Sequence, residues 1–387
     1  MSNISANKNC FGCGVCTIIC PYKLINIKLS ADGFYIPVIE SEELCIHCGL
    51  CVKVCSYLDN SKLNAPIKAS YAAYNKDSHI RNLASSGGVA YAIADSLLHE
   101  GYKICSVRYN YESHRAEHYI ASKQDELLSS IGSKYMQSYS QGGFENISNS
   151  DKYMVVGTPC MIASMRKFIE FKHISNNFIL VDFFCHGVPS KLLWDKYKRL
   201  IEKKTGEISH VSWRNKEHGW HNSYRMVIKG NKGEYAKGLK QGDIFLKLFL
   251  GDYCLNDACY SKCKFKKTAS AADFRIGDLW GETYAANEEG YSALLVYTER
   301  GEKTLCHLDN LVLKEETELI ITEGQMNQPV QKPYVRQFIM SFLKNNHQSW
   351  WKEILLITVY EIFCKFIKII TKPHIVIKNR LICLVKK

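Results

Sequence analysis

Eight cysteines within the first 55 residues place the strongest constraint on how this chain can fold. They form two runs with one shared spacing, C-x2-C-x2-C-x3-C, and a proline directly follows the first run only. The first run is Cys10, Cys13, Cys16 and Cys20, and the second is Cys45, Cys48, Cys51 and Cys55. Three cysteines at this spacing can wrap one face of an iron–sulfur cube, while the fourth points toward a second cube. The spacing therefore predicts two [4Fe–4S] clusters.

The fourth cysteine of each run is predicted to bind the cluster of the other run. Cluster A is expected on Cys10, Cys13, Cys16 and Cys55. Cluster B is expected on Cys20, Cys45, Cys48 and Cys51. Zinc knuckles would use C-x2-C pairs rather than triplets with a remote fourth ligand. Residues 1–62 are thus predicted to form a two-cluster, ferredoxin-like domain.

Cysteine usage also indicates a compartment. The chain has 17 cysteines, and its first residues, Met1–Ser5, show neither the basic nor the apolar region of a signal peptide. Cysteine without export is typical of metal binding in a reducing compartment. We expect a cytoplasmic protein with low-potential electron chemistry.

The positive charge of the chain is unevenly distributed. The formal net charge is +12, and from Lys344 to Lys387 eight Lys and one Arg stand against two Glu. A nucleic-acid enzyme would instead spread basic residues through its body, with aromatic residues between them. The composition therefore predicts no nucleic-acid partner.

Strand–turn–helix patterns follow the ferredoxin-like region and a polar linker. The predicted strands are residues 24–27, 35–39, 68–74, 103–109, 153–156 and 178–184, and the predicted helices are residues 89–99, 161–169 and 192–203. This alternation predicts an α/β fold, α+β overall, in which a larger mixed α/β domain has a mainly parallel sheet. Ligands of such sheets bind where the strands end.

Two predicted turns lie at such strand ends, Gly157–Cys160 and Cys185–Gly187. Two turns of small residues also precede predicted helices. Ser85, Ser86, Gly87 and Gly88 precede one predicted helix, and the range 157–159 (Gly157, Thr158 and Pro159) precedes another. Backbone N–H groups at a helix amino terminus suit a pyrophosphate. Neither turn is a G-x-G-x-x-G motif, and an ordinary serine-capped helix explains the first turn as well.

Several sequence blocks together resemble the coenzyme F420 hydrogenase/dehydrogenase beta-subunit family. The blocks are Ser86–Gly88, Gly157–Cys160, Asp182–Ser190, Trp213–Trp220, Cys259–Phe265, Gly277–Gly281 and Asn327–Pro329. The resemblance covers about residues 65–345, and a fused two-cluster domain is found in one branch of the family. We therefore predict a second domain at 65–345.

The resemblance implies FAD and a further [4Fe–4S] cluster beside it. The family's best-known activity is electron exchange between a deazaflavin, coenzyme F420, and iron–sulfur chains. Many bacterial relatives are thought not to use that coenzyme, and some work beside polysaccharide-modifying enzymes. The resemblance therefore leaves the small-molecule partner open.

Five later cysteines could bind the further cluster, which we name cluster C. The preferred ligands are Cys160, Cys185, Cys259 and Cys263, and Cys254 is the substitute. In relatives the last pair has C-x2-C spacing, whereas this chain has C-x3-C between Cys259 and Cys263. The alternative is that Cys160 and Cys185 are small core residues.

Five further side chains are candidates near a flavin. A cation and a stacking surface for the ring could come from Trp213, Arg214, Trp220 and Tyr224, although core packing explains Trp213 equally well. His186 is a candidate for proton transfer. A lone histidine beside a cofactor is often structural, so both interpretations of His186 stay open.

The C-terminal tail, residues 346–387, is predicted to be basic and to contain an amphipathic helix from Trp350 to Lys372. From Thr358 the polar residues recur at steps of three and four, which makes a narrow polar stripe. Such a helix could lie on the inner face of the membrane, dock on a partner, or pack on its own domain.

These features together predict an iron–sulfur flavoprotein oxidoreductase. It would exchange electrons with a ferredoxin or other redox protein on one side and with a small molecule or a deazaflavin on the other. The alternative is a non-catalytic electron-carrier subunit that docks on a separate enzyme, such as a polysaccharide-modifying one.

Overall fold

The computed structural model describes residues 3–5, 10–61, 63, 65–261, 263–345, 350 and 357–359. The chain divides into two compact units, Met1–Lys332 and Pro333–Lys387. The domain boundaries expected near residues 62 and 345 stay predictions.

The strands alternate with helices along most of the first unit. The strands are β1 (Ile25–Leu29), β2 (Tyr35–Ile39), β3 (Ala69–Asn75), β4 (Lys103–Asn110), β5 (Arg115–Ala121), β6 (Ser138–Tyr139), β7 (Tyr153–Val156), β8 (Phe178–Phe183), β9 (Ile208–Ser212), β10 (Arg225–Gly230), β11 (Gly233–Gly238), β12 (Phe274–Asp278), β13 (Ser292–Val296) and β14 (Leu311–Glu315).

The helices vary from single turns to four turns. The α-helices are α1 (Val15–Ile19), α2 (Leu50–Lys53), α3 (Ser78–Leu83), α4 (Val89–His99), α5 (Gln124–Leu128), α6 (Gln141–Phe144), α7 (Pro159–Phe171), α8 (Lys191–Thr205), α9 (Ile244–Leu250), α10 (Asp257–Ser261), α11 (Glu299–Cys306), α12 (Glu318–Thr322) and α13 (Arg336–Lys344). Short 3₁₀ turns are Glu42–Leu44, Ser175–Asn177, Trp220–Asn222, Leu239–Gln241 and Glu282–Tyr284.

A mixed sheet forms the centre of the first unit. Within the described part of the chain it has nine strands in the order β14-β3-β13-β12-β8-β7-β4-β5-β6. Strands β12, β8, β7 and β4 are parallel, so their carboxyl ends share one edge. The predicted α/β class is confirmed.

The sheet is not mainly parallel, which corrects the sequence prediction. Four of the strand pairs are antiparallel, namely β12 with β13, β13 with β3, β3 with β14 and β4 with β5, and the other four are parallel. Only residues 111–114 connect β4 to β5. A connection this short permits a hairpin but not the crossover that parallel strands need.

In the ferredoxin-like region, the strands predicted at residues 24–27 and 35–39 form a hairpin. Strands β1 and β2 pair antiparallel from Ile25 with Ile39 to Leu29 with Tyr35. Gly33, in the connecting turn, has a φ of 73°, a value that glycine adopts without strain. The hairpin thus forms most of the segment that connects the two cysteine runs.

Two apolar cores lie on opposite faces of the sheet. Residues such as Met154 and Ile179 pack in a core with helix α4, whereas Val155 and Leu180 pack in a core with helix α7. Successive strand side chains point to opposite faces, which explains the alternation. The α7 core also contains Val15 of the ferredoxin-like region. The cysteine runs therefore belong to the α7 face.

A buried polar segment joins the ferredoxin-like region to the sheet domain. The Gln137 side-chain oxygen accepts the N–H of Tyr35 at 2.7 Å, and that of Gln141 accepts the N–H of Ile27 at 2.7 Å. Ser140 donates its hydroxyl to the carbonyl of Cys13 at 3.0 Å. These bonds hold the β1–β2 hairpin and the segment around Cys13, a predicted ligand of cluster A, against the sheet domain.

The second unit contains α13 and the start of the tail. Most of the predicted amphipathic tail, residues 346–387, lies outside the described residues. Among the described residues, no helix has the length and apolar character needed to span a membrane. Membrane-surface contact by the tail stays a prediction.

Candidate functional site

A cavity of about 450 Å³ lies where the parallel strands end. Its lining includes Gly157 and Thr158, which follow β7, and Cys185 and His186, which follow β8. Asp278, the last residue of β12, also lines it. The structure thus brings both predicted strand-end turns to one space.

The four cysteines predicted for cluster A line a second, smaller cavity. They are Cys10, Cys13, Cys16 and Cys55. Burial raises the pKa of Cys10 to about 12, with a further contribution from Cys13. Burial and Cys13 likewise raise the pKa of Cys55 to about 11. Thiols that raise one another's pKa in this way fit a site where a cluster's iron stabilises all four thiolates.

Two glycines with positive φ shape the backbone around Cys10 and Cys13, predicted ligands of cluster A. Gly12 and Gly14 have φ values of 66° and 78°, and the Gly12 N–H donates to Cys10 Sγ at 3.2 Å. Ser164 of α7 accepts the Ser56 N–H at 3.0 Å, and its hydrogen bond with Cys13 partly offsets the burial that raises the pKa of that thiol. Hydrogen bonds to sulfur are contacts that tune a cluster's potential.

The ligands predicted for cluster B lie nearer the surface. Cys48 is exposed, and Cys45 lies 3.5 Å from the side-chain nitrogen of Asn3. Burial raises the pKa of Cys51, to which Cys48 adds a smaller effect. Cys20 packs against the same apolar core that contains Cys51. The arrangement is compatible with the predicted ligand set.

Four later cysteines come together from three separated segments. Cys160 lies in the first turn of α7, Cys185 follows β8, Cys259 lies in α10, and Cys263 follows α10. Burial raises the pKa of Cys259 to about 12, and Cys185 and Cys263 raise it further. Burial also raises the pKa of Cys160 well above its usual value, with contributions from Cys185 and Cys259. These thiols fit the preferred ligand set of cluster C.

Two other cysteines give a useful comparison. Cys254 is fully buried after α9, where its carbonyl accepts the Ser190 N–H at 2.9 Å. Cys105 is fully buried in the sheet, and burial alone raises its pKa to about 12. Among the residues described, no three His, Cys, Asp or Glu side chains are placed to hold a single metal ion. A cube instead spreads its thiolates over separate iron corners.

The Ser85–Gly88 turn lines the cavity, but its own polar groups already have protein partners. The Ser85 hydroxyl accepts the Ser133 N–H at 2.8 Å, and the Ser86 hydroxyl donates to the Tyr291 carbonyl at 2.6 Å. The Gly87 N–H donates to the Ser292 hydroxyl at 3.0 Å. The part of this turn that is still available to a ligand is the amino end of α4, where the N-cap residue Gly88 makes no side-chain cap.

Gly87 itself is required for close packing. A Cβ added there would lie 2.4 Å from the Ala73 carbonyl oxygen and 2.8 Å from the Ser292 nitrogen. Gly87 does not line the cavity, whereas Gly88, with a φ of 80°, does. A packing role thus explains Gly87 without a ligand.

The Gly157–Pro159 turn lies between the cavity and Cys160, a predicted ligand of cluster C. Pro159 is the first residue of α7, where its fixed φ favours the helix and its missing N–H costs nothing. Gly157 donates its N–H to the Val181 carbonyl at 3.1 Å. The Thr158 hydroxyl lies 3.2 Å from Cys160 Sγ. Of this turn, Gly157 and Thr158 line the cavity and Pro159 does not.

Arg214 and Trp220 lie one layer behind the cavity wall. Arg214 pairs with the Asp278 carboxylate at 2.9 Å, and the Trp220 indole N–H donates to the same carboxylate at 3.0 Å. Trp220 stacks on Trp280 with ring centres 5.1 Å apart, and Trp280 stacks on Tyr224 at 5.7 Å. Tyr224 and Trp280, not Arg214 and Trp220, present side chains to the cavity.

His186 has partners that orient its ring. Its Nε2 lies 2.8 Å from a carboxylate oxygen of Asp252, and its ring packs edge-on against Phe249 at 5.0 Å. A carboxylate beside one ring nitrogen can fix a histidine tautomer. This geometry fits an oriented proton donor and equally fits a structural histidine.

The sequence interpretation missed the segment 130–138, which lines one side of the cavity. Lys134 donates to the carbonyls of Ser129, Ser130 and Ile131 at 3.2, 2.7 and 3.0 Å. Burial lowers its pKa to about 7, while three carbonyl acceptors match the three donors of an ammonium. The serines on both sides of Gly132 were the sequence feature that could have indicated a ligand-facing segment here.

Comparisons with known proteins identify the family of this chain. Residues 70–141 match the N-terminal model, and residues 150–318 the C-terminal model, of the coenzyme F420 hydrogenase/dehydrogenase beta subunit. The chain belongs to this family. Residues 9–58 match a 4Fe-4S dicluster domain, so the predicted branch of the beta-subunit family, with a fused cluster domain, is confirmed. The chain is therefore an iron–sulfur electron-transfer protein of an oxidoreductase family.

The chain is similar to a solved structure of the F420-reducing [NiFe] hydrogenase complex from Methanosarcina barkeri. The sequence identity is 15% and the TM-score 0.46, and the match covers 71% of this chain and 99% of the hydrogenase chain. No curated protein matches the sequence.

Proposed function

We propose that this chain is an iron–sulfur flavoprotein that carries electrons between three [4Fe–4S] clusters and an FAD in the cavity. The observation that carries the proposal is that Cys13, a predicted ligand of cluster A, and Cys185, a predicted ligand of cluster C, line the same cavity. A flavin supplies the conversion between single-electron and hydride transfer when bound.

The thiols also suggest an order for the clusters. Cys16 of cluster A interacts electrostatically with Cys51 of cluster B, and Cys160 of cluster C interacts with Cys13 of cluster A. Cluster A therefore lies between the other two. Cluster B, with Cys48 exposed, is the entry or exit point for a ferredoxin or other redox protein.

The cavity has features that suit a flavin nucleotide. The uncapped amino ends of α4 and α7 would favour a phosphate through their N–H groups and dipoles. Tyr224 and Trp280 provide flat aromatic surfaces, and Phe249 and Met326 add apolar surface that excludes water. His186, whose Nε2 lies 2.8 Å from the Asp252 carboxylate, is the candidate to hold or move a proton.

A non-catalytic electron-carrier subunit is the second candidate. It is favoured by the Ser85–Gly87 groups that are already bonded within the protein and so are not available to a phosphate. Such a subunit would keep the clusters and pass electrons to a separate enzyme.

Anaerobic purification and reconstitution test the proposal. Three clusters predict about twelve iron and twelve sulfide per chain, and denaturation should release FAD. The flavin absorbance should bleach with one of reduced coenzyme F420, NAD(P)H or reduced ferredoxin as the electron donor. A spectrum of clusters without flavin would establish the carrier function instead.

A further inference from the structure

Lys266 places a buried ammonium beside the predicted ligands of cluster C. Only 9% of its surface is exposed. Its Nζ donates to the carbonyl of Cys185 at 2.6 Å and to that of His186 at 2.9 Å, and it lies 3.8 Å from the sulfur of Met326. These three contacts account for the three donors of an ammonium.

The charge of Lys266 is not neutralised by the groups it contacts. Two of its contacts are backbone carbonyls and the third is a thioether, and no described carboxylate pairs with it. Arg275, a second cation near Cys185, differs because it pairs with the buried Asp182 at 2.7 Å. A buried charge needs an opposite charge to offset its lost hydration.

We propose that Lys266 is a positioning residue that raises the reduction potential of cluster C and holds the Cys185 loop in place. This inference rests on the proposed third cluster. A cube with four thiolate ligands carries a net negative charge, which grows by one when the cluster accepts an electron. A buried cation attracts the added electron because the surroundings screen it weakly.

The potential of cluster C relative to its neighbours then depends on one side chain. Lys167 and Lys264 also lie near a predicted ligand of cluster A, Cys55, but both of these lysines are beside the Asp59 carboxylate, which offsets their charge, whereas Lys266 has no such partner among the described residues. Cluster C is therefore the easiest of the three to reduce. Electrons that enter at cluster B would collect next to the cavity.

An equilibrium redox titration of the full chain tests this inference. Dithionite supplies one electron per cluster under anaerobic conditions, and electron paramagnetic resonance follows the reduced signals. The signal lost in Cys263→Ala is assigned to cluster C. Three variants are compared with the unmodified protein: Lys266→Met removes the charge, Lys266→Arg retains it, and Lys267→Met removes the charge of the exposed neighbour.

Lys266→Met should lower the ratio of reduced to oxidised cluster C at a fixed potential by about tenfold, which is about 59 mV for one electron. Lys266→Arg and Lys267→Met should change that ratio by no more than about twofold, since charge is retained or water and salt screen it. If Lys266→Met loses the iron of cluster C, Lys266→Gln, which retains an N–H donor, is titrated in its place.

Two failures can be told apart. An unchanged ratio in a fully loaded Lys266→Met or Lys266→Gln protein overturns the role of Lys266. The third cluster itself is overturned if the unmodified protein contains iron for two clusters only and the Cys263→Ala protein loses no paramagnetic signal.

Discussion

Asp182 and Arg275 form an ion pair in which both side chains are fully buried, with guanidinium-to-carboxylate distances of 2.7 and 2.8 Å. Arg275 also donates to the carbonyls of Lys267 and Ala269, at 2.6 and 3.0 Å. The pair thus connects the end of β8, before Cys185, to the loop that follows Cys263. It links the two sides of the predicted cluster C site.

Breaking this pair should destabilise the protein strongly. Arg275→Met leaves the Asp182 carboxylate buried without its cation, a change that typically costs about 3–5 kcal/mol. The double variant Asp182→Leu with Arg275→Met should be less destabilised than the single one, because no charge stays buried. Thermal midpoints measured anaerobically compare them, and equal midpoints would argue against a buried charge as the cause.

Exchange of the fourth ligands between the two runs can be tested by single substitutions. Cys55→Ala should abolish the signal of cluster A, and Cys20→Ala that of cluster B, since each fourth cysteine is predicted to serve the other run. Cys105→Ala is the matched control, because Cys105 is buried in the sheet. Iron content and paramagnetic spectra measure the outcome. Loss of cluster B in Cys55→Ala would contradict the assignment.

Gly87→Ala should be clearly destabilising. The new Cβ would lie 2.4 Å from a backbone oxygen of β3, so strand or turn must move, at a cost of about 1–3 kcal/mol. Gly142→Ala is the control, because its nearest neighbour to a new Cβ is an atom of Tyr139 at 3.8 Å. That change lies in α6 and should be neutral or slightly stabilising. Equal midpoints for both variants would disprove the packing role of Gly87.

Acid should weaken the fold through His118. Burial lowers the pKa of His118 to about 4, and its ring bridges the Ser138 hydroxyl at 3.0 Å and the Val156 carbonyl at 3.1 Å. Since the unfolded residue titrates near 6.5, this contribution to stability is complete above about pH 6.5 and is lost as the pH falls toward 4.

The loss from His118 should reach about 2 kcal/mol at pH 5. His118→Gln removes the titrating group, so the difference between its thermal midpoints at pH 7 and pH 5 should be smaller than in the unmodified protein. Parallel pH dependence in the two proteins would show that other groups control acid stability.

Local sequence signals identified much of this architecture. The cysteine spacing predicted the fused cluster domain, and the apolar pattern predicted α4 with the bounds Val89–His99. Such features depend on neighbours a few residues apart, where spacing and periodicity carry the information.

Features that depend on residues far apart in the sequence could not be predicted from local spacing and periodicity. Asp182 and Arg275 are 93 positions apart, and neither lies in a repeating pattern. Gln137 and Gln141 contact the ferredoxin-like region more than 100 positions away. The role of Gly87 also follows from the strands it packs against, because the same glycine-rich turn is compatible with a phosphate site.

The alternation of side chains in β7 and β8 gives the two faces of the sheet separate packing partners. Met154 and Ile179 pack with α4, whereas Val155 and Leu180 pack with α7, the helix that carries Cys160. A change of side-chain size at Met154 or Ile179 can therefore be accommodated by α4 without repacking the helix that carries Cys160.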